Sequence, residues 1–114
     1  MTASSTARVK TDRPGRYGKQ LASHFSTKLQ TSWDAESGRG HLTFAGEAIG
    51  EVDMVVGDRV LLLHLECDED ALDRLERVVG VHLVRFGTRD GLEVAWRRRG
   101  GDEGTRWTAA DLEG

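Results

Sequence analysis

Two histidines, a lysine and two arginines are the residues of this chain whose types and spacing could do chemistry: His24 with Lys28, and His82 with Arg85 and Arg89. Side chains three or four positions apart share a helix face, so each of two helices would bring an imidazole and a cation to one region. Tyr17 and Gln20 stand just before His24, and Asp90 just after Arg89, as supporting residues. Guanidinium groups hold carboxylates and phosphates bidentately, and burying several cations without a negative partner is costly. The set therefore suits an anionic small molecule. Two other readings stay open. The histidines could fill core space while the arginines pair with Asp90, Glu93 or Glu76, or the histidines could ligate a metal or haem. The last is the weakest, because neighbouring cations repel a metal and Asp90 is the single carboxylate of the motif. No metal site, catalytic residue or cofactor is assigned.

Other chemistry is thin. No glycine-rich phosphate loop, HExxH or GxSxG stretch is present. Cys67, the lone cysteine, excludes an internal disulfide and reads as an inert core thiol. Arg97-Arg98-Arg99 lacks interleaved aromatics, which argues against nucleic acid as a partner. His41 and His64 read as surface residues of an open sheet face. Residues 1–33 carry Arg8, Lys10, Arg13, Arg16, Lys19 and Lys28 against Asp12 alone, within a net charge of −3. Such a basic first helix could meet an anionic ligand or nucleic acid, or face an acidic second helix, or simply be solvated.

The elements that must position these residues follow from periodicity. Ser5 to Lys10 alternates as a first strand. Asp12 is placed to cap a helix with Pro14 in its first turn, running to about Lys28 with Tyr17, Leu21, His24 and Phe25 inward. Gln30–Trp33, His41–Phe44, Ile49–Val56 and Arg59–Cys67 read as four strands, the last two joined by a Gly57-Asp58 turn. The fourth is apolar on both faces, Leu61, Leu63 and Leu65 against Val60, Leu62 and His64, as a central or covered strand would be. Asp68 is placed to cap a second helix with Leu72, Leu75, Val79, His82, Leu83 and Phe86 on one stripe. Gly87 would close it in the left-handed conformation, and Leu92–Arg97 is a final strand. The order β-α-β-β-β-β-α-β predicts an α+β fold, an antiparallel sheet with both helices on one face. A chain of 114 residues, 38% hydrophobic and 31% charged, is one domain, expected over residues 5–99. Residues 1–4 would be a disordered N-terminus and residues 100–114 a flexible acidic tail, with Trp107 docking weakly. No apolar run approaches the roughly 20 residues of a membrane span, and MTASSTARVKTD has no apolar signal core. With the lone cysteine, this predicts a cytoplasmic protein.

The stretches ARVKTDRPGRYGKQLASHFSTK and DEDALDRLERVVGVHLVRFGTRDGLEVAW resemble a bacterial family of small proteins, the domain of unknown function DUF2218. Its pattern falls here on Tyr17, Gln20, Leu21, His24, Phe25 and Lys28, and on His82, Leu83, Arg85, Phe86, Arg89, Asp90, Leu92 and Trp96. Gly87 stands where the family pattern suggests alanine, and Asp90 where it has glutamate. The resemblance implies an α/β sandwich similar to the TATA-binding-protein-like fold of phosphohexomutase C-terminal domains. It implies no established activity. An association with siderophore-interacting flavin reductases, and so with iron handling, is a further implication. Three functional classes follow: a non-catalytic binding module for an anionic small molecule, a structural domain that forms a homodimer through its open sheet face, and a small enzyme using His24 or His82 as general base. The enzyme ranks last, since no nucleophile or orienting carboxylate accompanies the imidazoles.

Overall fold

The computed structural model describes residues 2–112. The chain runs β1 (Thr2–Lys10), α1 (Pro14–Phe25), β2 (Gln30–Asp34), β3 (Arg39–Ala45), β4 (Ile49–Gly57), β5 (Val60–Asp68), α2 (Leu72–Phe86), β6 (Val94–Arg98) and β7 (Glu103–Trp107). Short 3₁₀ turns occupy Glu69–Ala71, Arg99–Gly101 and Ala109–Leu112. The strands form one antiparallel sheet in the order β2-β3-β4-β5-β1-β6-β7. The fold is α+β, as the order of elements predicts.

Period-two alternation puts one row of each strand into the core. Leu61, Leu63, Leu65 and Cys67 of β5 are buried beside Val9 and Ala7 of β1, Val52 and Met54 of β4, Leu42 of β3, and Val94 and Trp96 of β6. β5 lies in the middle of the sheet between β4 and β1, and its outward Val60, Leu62 and His64 are half-buried. Both helices cover this one face. The α1 stripe of Tyr17, Leu21, Ala22 and Phe25 lies over β2 to β5, and the α2 stripe of Leu72, Leu75, Val79 and Leu83 lies over β5, β1, β6 and β7. Each fully buried leucine contributes about 1.5–3 kcal/mol, so truncating Leu63 to alanine costs about 2–5 kcal/mol. Two glycines set how closely the helices descend. A Cβ on Gly18 would stand 2.6 Å from the Trp33 ring, and one on Gly80 would stand 2.6 Å from Trp107, inside any tolerable contact.

The structure departs from the sequence expectations at the ends of elements. Residues 2–4 are not frayed: Thr2, Ala3 and Ser4 extend β1 and pair with Asp68, Cys67 and Glu66. The segment after Arg99 is not a mobile tail, because Glu103–Trp107 pairs with β6 as β7 and Trp107 packs on Gly80 of α2. The folded unit therefore exceeds 5–99; Met1 and residues 113–114 lie outside the described residues. Neither Asp12 nor Asp68 caps a helix. Arg13 precedes α1, its N–H donating to the Thr11 hydroxyl at 3.0 Å, and a 3₁₀ turn carries the chain from Asp68 into α2. α1 ends at Phe25, which leaves Lys28 in the following turn. Gly87 ends α2 at φ −106°, so it is not left-handed; its missing side chain instead makes room for Leu92. The tight turn between β4 and β5 is Asp58-Arg59, with Gly57 paired to Val60 and Arg59 at φ 55°. Among the described residues, no helix is long and apolar enough to cross a membrane.

Candidate functional site

His24 and His82 meet where the C-terminal halves of α1 and α2 pass each other. Their ring centroids are 4.9 Å apart. Phe86 lies 5.3 Å from His24 and Phe25 lies 5.0 Å from His82, so the imidazoles form half of an aromatic cluster. His82 is half-buried, and its Nδ1–H donates to the Val78 carbonyl at 2.7 Å. A carbonyl can only accept, so the bond places a proton on Nδ1 and leaves Nε2 to accept in the neutral ring. His24 is exposed at the rim rather than inside the stripe.

One turn away, the N-terminal half of α1 and the end of α2 enclose a groove of about 370 Å³. Arg85 and Arg89 line it, as do Tyr17, Gln20, Phe86 and Asp90. So do Arg13 and Arg16, which sequence reading counted as basic but did not place in the site. Their signal was present: Arg13, Arg16 and Gln20 stand at i, i+3 and i+7, a single helical stripe. Arg16, Gln20 and Phe86 continue into a shallower depression that reaches His24 and Lys19. Lys28, beyond the helix end, lines neither depression.

The acids that sequence reading offered as partners are otherwise engaged. Asp90 accepts the Tyr17 hydroxyl. Burial, that hydrogen bond and the Asp90 charge push the Tyr17 phenol up, against a smaller opposing pull from Arg13 and Arg16. Glu93 pairs with Arg106. Glu76, fully buried on α2, accepts Arg98 Nε at 3.2 Å and Arg98 Nη2 at 3.0 Å. It also accepts the backbone N–H and hydroxyl of Thr105, each at 3.0 Å. Burial alone would raise the Glu76 carboxyl, but Arg98 and Thr105 hold it below the ordinary value. Arg98 consequently turns inward, and Arg97-Arg98-Arg99 is not one basic surface. Among the described residues, Arg13, Arg16, Arg85 and Arg89 form no ion pair. Four guanidinium groups thus border one groove whose single carboxylate is held by a phenol.

Among the described residues, no group of three or more His, Cys, Asp or Glu is placed to hold a metal. Burial and the nearby charges of Asp68 and Glu76 push the Cys67 thiol up, away from nucleophilic use.

The model of a family described as an uncharacterised protein conserved in bacteria, DUF2218, matches residues 6–97. The chain belongs to the DUF2218 family. In this DUF2218 protein the match takes in both helices and every residue of the groove. The NMR structure of PA4090 from Pseudomonas aeruginosa is similar at a TM-score of 0.65 and 26% identity, covering 90% of this chain and 99% of that one. No curated protein matches the chain.

Proposed function

We propose that this DUF2218 protein is a non-catalytic binding module for a small anionic ligand, held in the groove between α1 and α2. The observation that supports it is the convergence of Arg13, Arg16, Arg85 and Arg89 on one depression without ion-pair partners among the described residues. Like charges gathered at short range repel one another, and a bound carboxylate or phosphate relieves that repulsion while accepting bidentate hydrogen bonds. Tyr17 holds Asp90 in place by hydrogen bonding, so the one local acid competes less for the guanidiniums. His24 and Phe86 supply a rim on which a planar part of the ligand could rest. The siderophore association rests on the family resemblance alone and gains no support from these residues.

The test is thermal or urea unfolding with inorganic phosphate, pyrophosphate or citrate against sodium chloride of equal ionic strength. Pyrophosphate at about 100 times its Kd adds about 2.7 kcal/mol of stability. Arg16→Ala and Arg85→Ala each abolish that gain while changing unliganded stability by less than about 0.5 kcal/mol, as surface substitutions do. Equal responses to chloride and to the polyvalent anions, or a large unliganded loss in Arg85→Ala, would overturn the reading.

A further inference from the structure

The face of the sheet turned away from the helices is divided by charge. Its rows are fixed by the strand register, in which Asp53 of β4 opposes both His41 of β3 and His64 of β5, while Thr6 of β1 opposes both His64 and Arg97 of β6. The β3–β5 side carries Glu51, Asp53 and Glu66 against Arg39, all exposed, and is net acidic. Asp53 accepts His41 Nδ1–H at 2.6 Å, and Glu66 lies 3.2 Å from His64 Nε2. On the β1–β7 side, Arg8, Lys10 and Arg97 are exposed and, among the described residues, form no ion pair. Arg106 pairs with Glu93 there and Glu103 stands opposite Arg97, which leaves the side net basic. The same β4 and β5 strands carry half-buried Val55, Val60 and Leu62 on this face. Ile49, 58% exposed and the one large hydrophobic so exposed among the described residues, lies at the end of the same outward row.

A surface net acidic on one side and net basic on the other is complementary to itself in charge under a two-fold rotation that exchanges the two sides. We propose that this face docks a second copy of the same chain, with β4 of one copy over β6 of the other and Asp53 against Arg97 on both sides of the axis. Charge selects the axis. Rotation about a line along the strands, between β5 and β1, exchanges the acidic and basic sides. Rotation about a line across the strands would instead stack acids on acids. The area suffices: seven strands about 4.8 Å apart span about 30 Å, and over a molecule 35 × 30 × 26 Å in extent such a face offers about 800 Å², a standard share of a stable interface. The face adjoins the arginine groove at one corner, where Arg8, Lys10 and Val60 line a depression with Arg13 and Asp90. Asp53 and Arg97 line neither that depression nor the groove, so substitutions there test association without touching the groove.

Sedimentation of the full chain decides it. The wild type is expected to be a dimer that dissociates as salt rises. Asp53→Arg and Arg97→Asp each create two like-charge contacts per dimer, weakening association by more than about a hundredfold. Mixed together, the two variants restore both contacts and re-form a dimer that neither makes alone. Both positions are exposed, and circular dichroism verifies that each variant is folded. A wild type that stays monomeric at about 0.5 mM, where an interface of standard size associates, would overturn the proposal. So would variants that remain dimeric, or a mixture that stays monomeric.

Discussion

Glu76 is the residue on which the polar interior turns. A carboxylate removed from water is tolerable only when paired and hydrogen-bonded, and Arg98 and Thr105 supply both. Its own backbone carbonyl takes the Trp96 indole N–H at 3.0 Å, tying α2 to β6 at the same point. Glu76→Gln keeps the volume but removes the charge facing Arg98, and is expected to destabilise the fold by about 2–4 kcal/mol. The pH dependence has a definite sign. The folded carboxyl titrates below its ordinary value, so its stabilisation is complete above about pH 4.3, the unfolded pKa, and is lost as pH falls through the lower folded one. Urea melts between neutral and acid pH should show the gap between wild type and Glu76→Gln closing over that range. A constant gap would mean that the charge of Glu76 does not stabilise the fold.

At the scale of elements, β7 binds α2 into the structure. Gly80 lets Trp107 approach the helix, Arg77 lies over the Trp107 ring at 5.9 Å, and the Thr105 N–H reaches the buried carboxylate. Hydrogen exchange should therefore find the Thr105 amide protected well above a mobile tail. Trp107→Ala, at a half-buried position, should cost about 2–3 kcal/mol. Rapid exchange at Thr105, or a Trp107→Ala protein as stable as the wild type, would show that the segment does not hold the helix.

For the whole molecule, the position of the N-terminal strand governs how the chain folds. β1 lies near the middle of the sheet, paired to β5 from Thr2–Asp68 through Lys10–Val60 and to β6 beyond. Its core row cannot form until more than half of the chain is available, and such non-local pairing is slow because loop closure precedes any compensating contact. Refolding should occur in about milliseconds to seconds rather than microseconds. Ala7→Gly in β1 should slow folding, whereas Trp107→Ala, at the sheet edge, should mainly speed unfolding. Stopped-flow fluorescence of the tryptophans reads both, and microsecond refolding would contradict the topology's control of the rate.

What the residues determined by themselves was what local period and chemistry can encode. Alternation in Leu61, Leu63 and Leu65, and the stripes through Leu21 and Leu75, are properties of consecutive residues, so six of the seven strands, the two helices and the inward rows were legible, and an antiparallel sheet followed from the order. The approach of His24 to His82 was legible too, since both helices had to bury their stripes on one face. Pairing across the chain was decided by the tertiary structure alone. β7 was hidden because GDEGTRW has no apolar period and is held by a carboxylate about thirty residues away. Glu76 fell within the α2 stripe, four residues after Leu72 and three before Val79, yet an acid there reads as solvated until its cover is known. The groove was half visible: Arg85 and Arg89 stood out beside His82, while Arg13 and Arg16 resembled an ordinary basic face. Their convergence with α2 depends on how the two helices cross the sheet, which no spacing within either helix specifies.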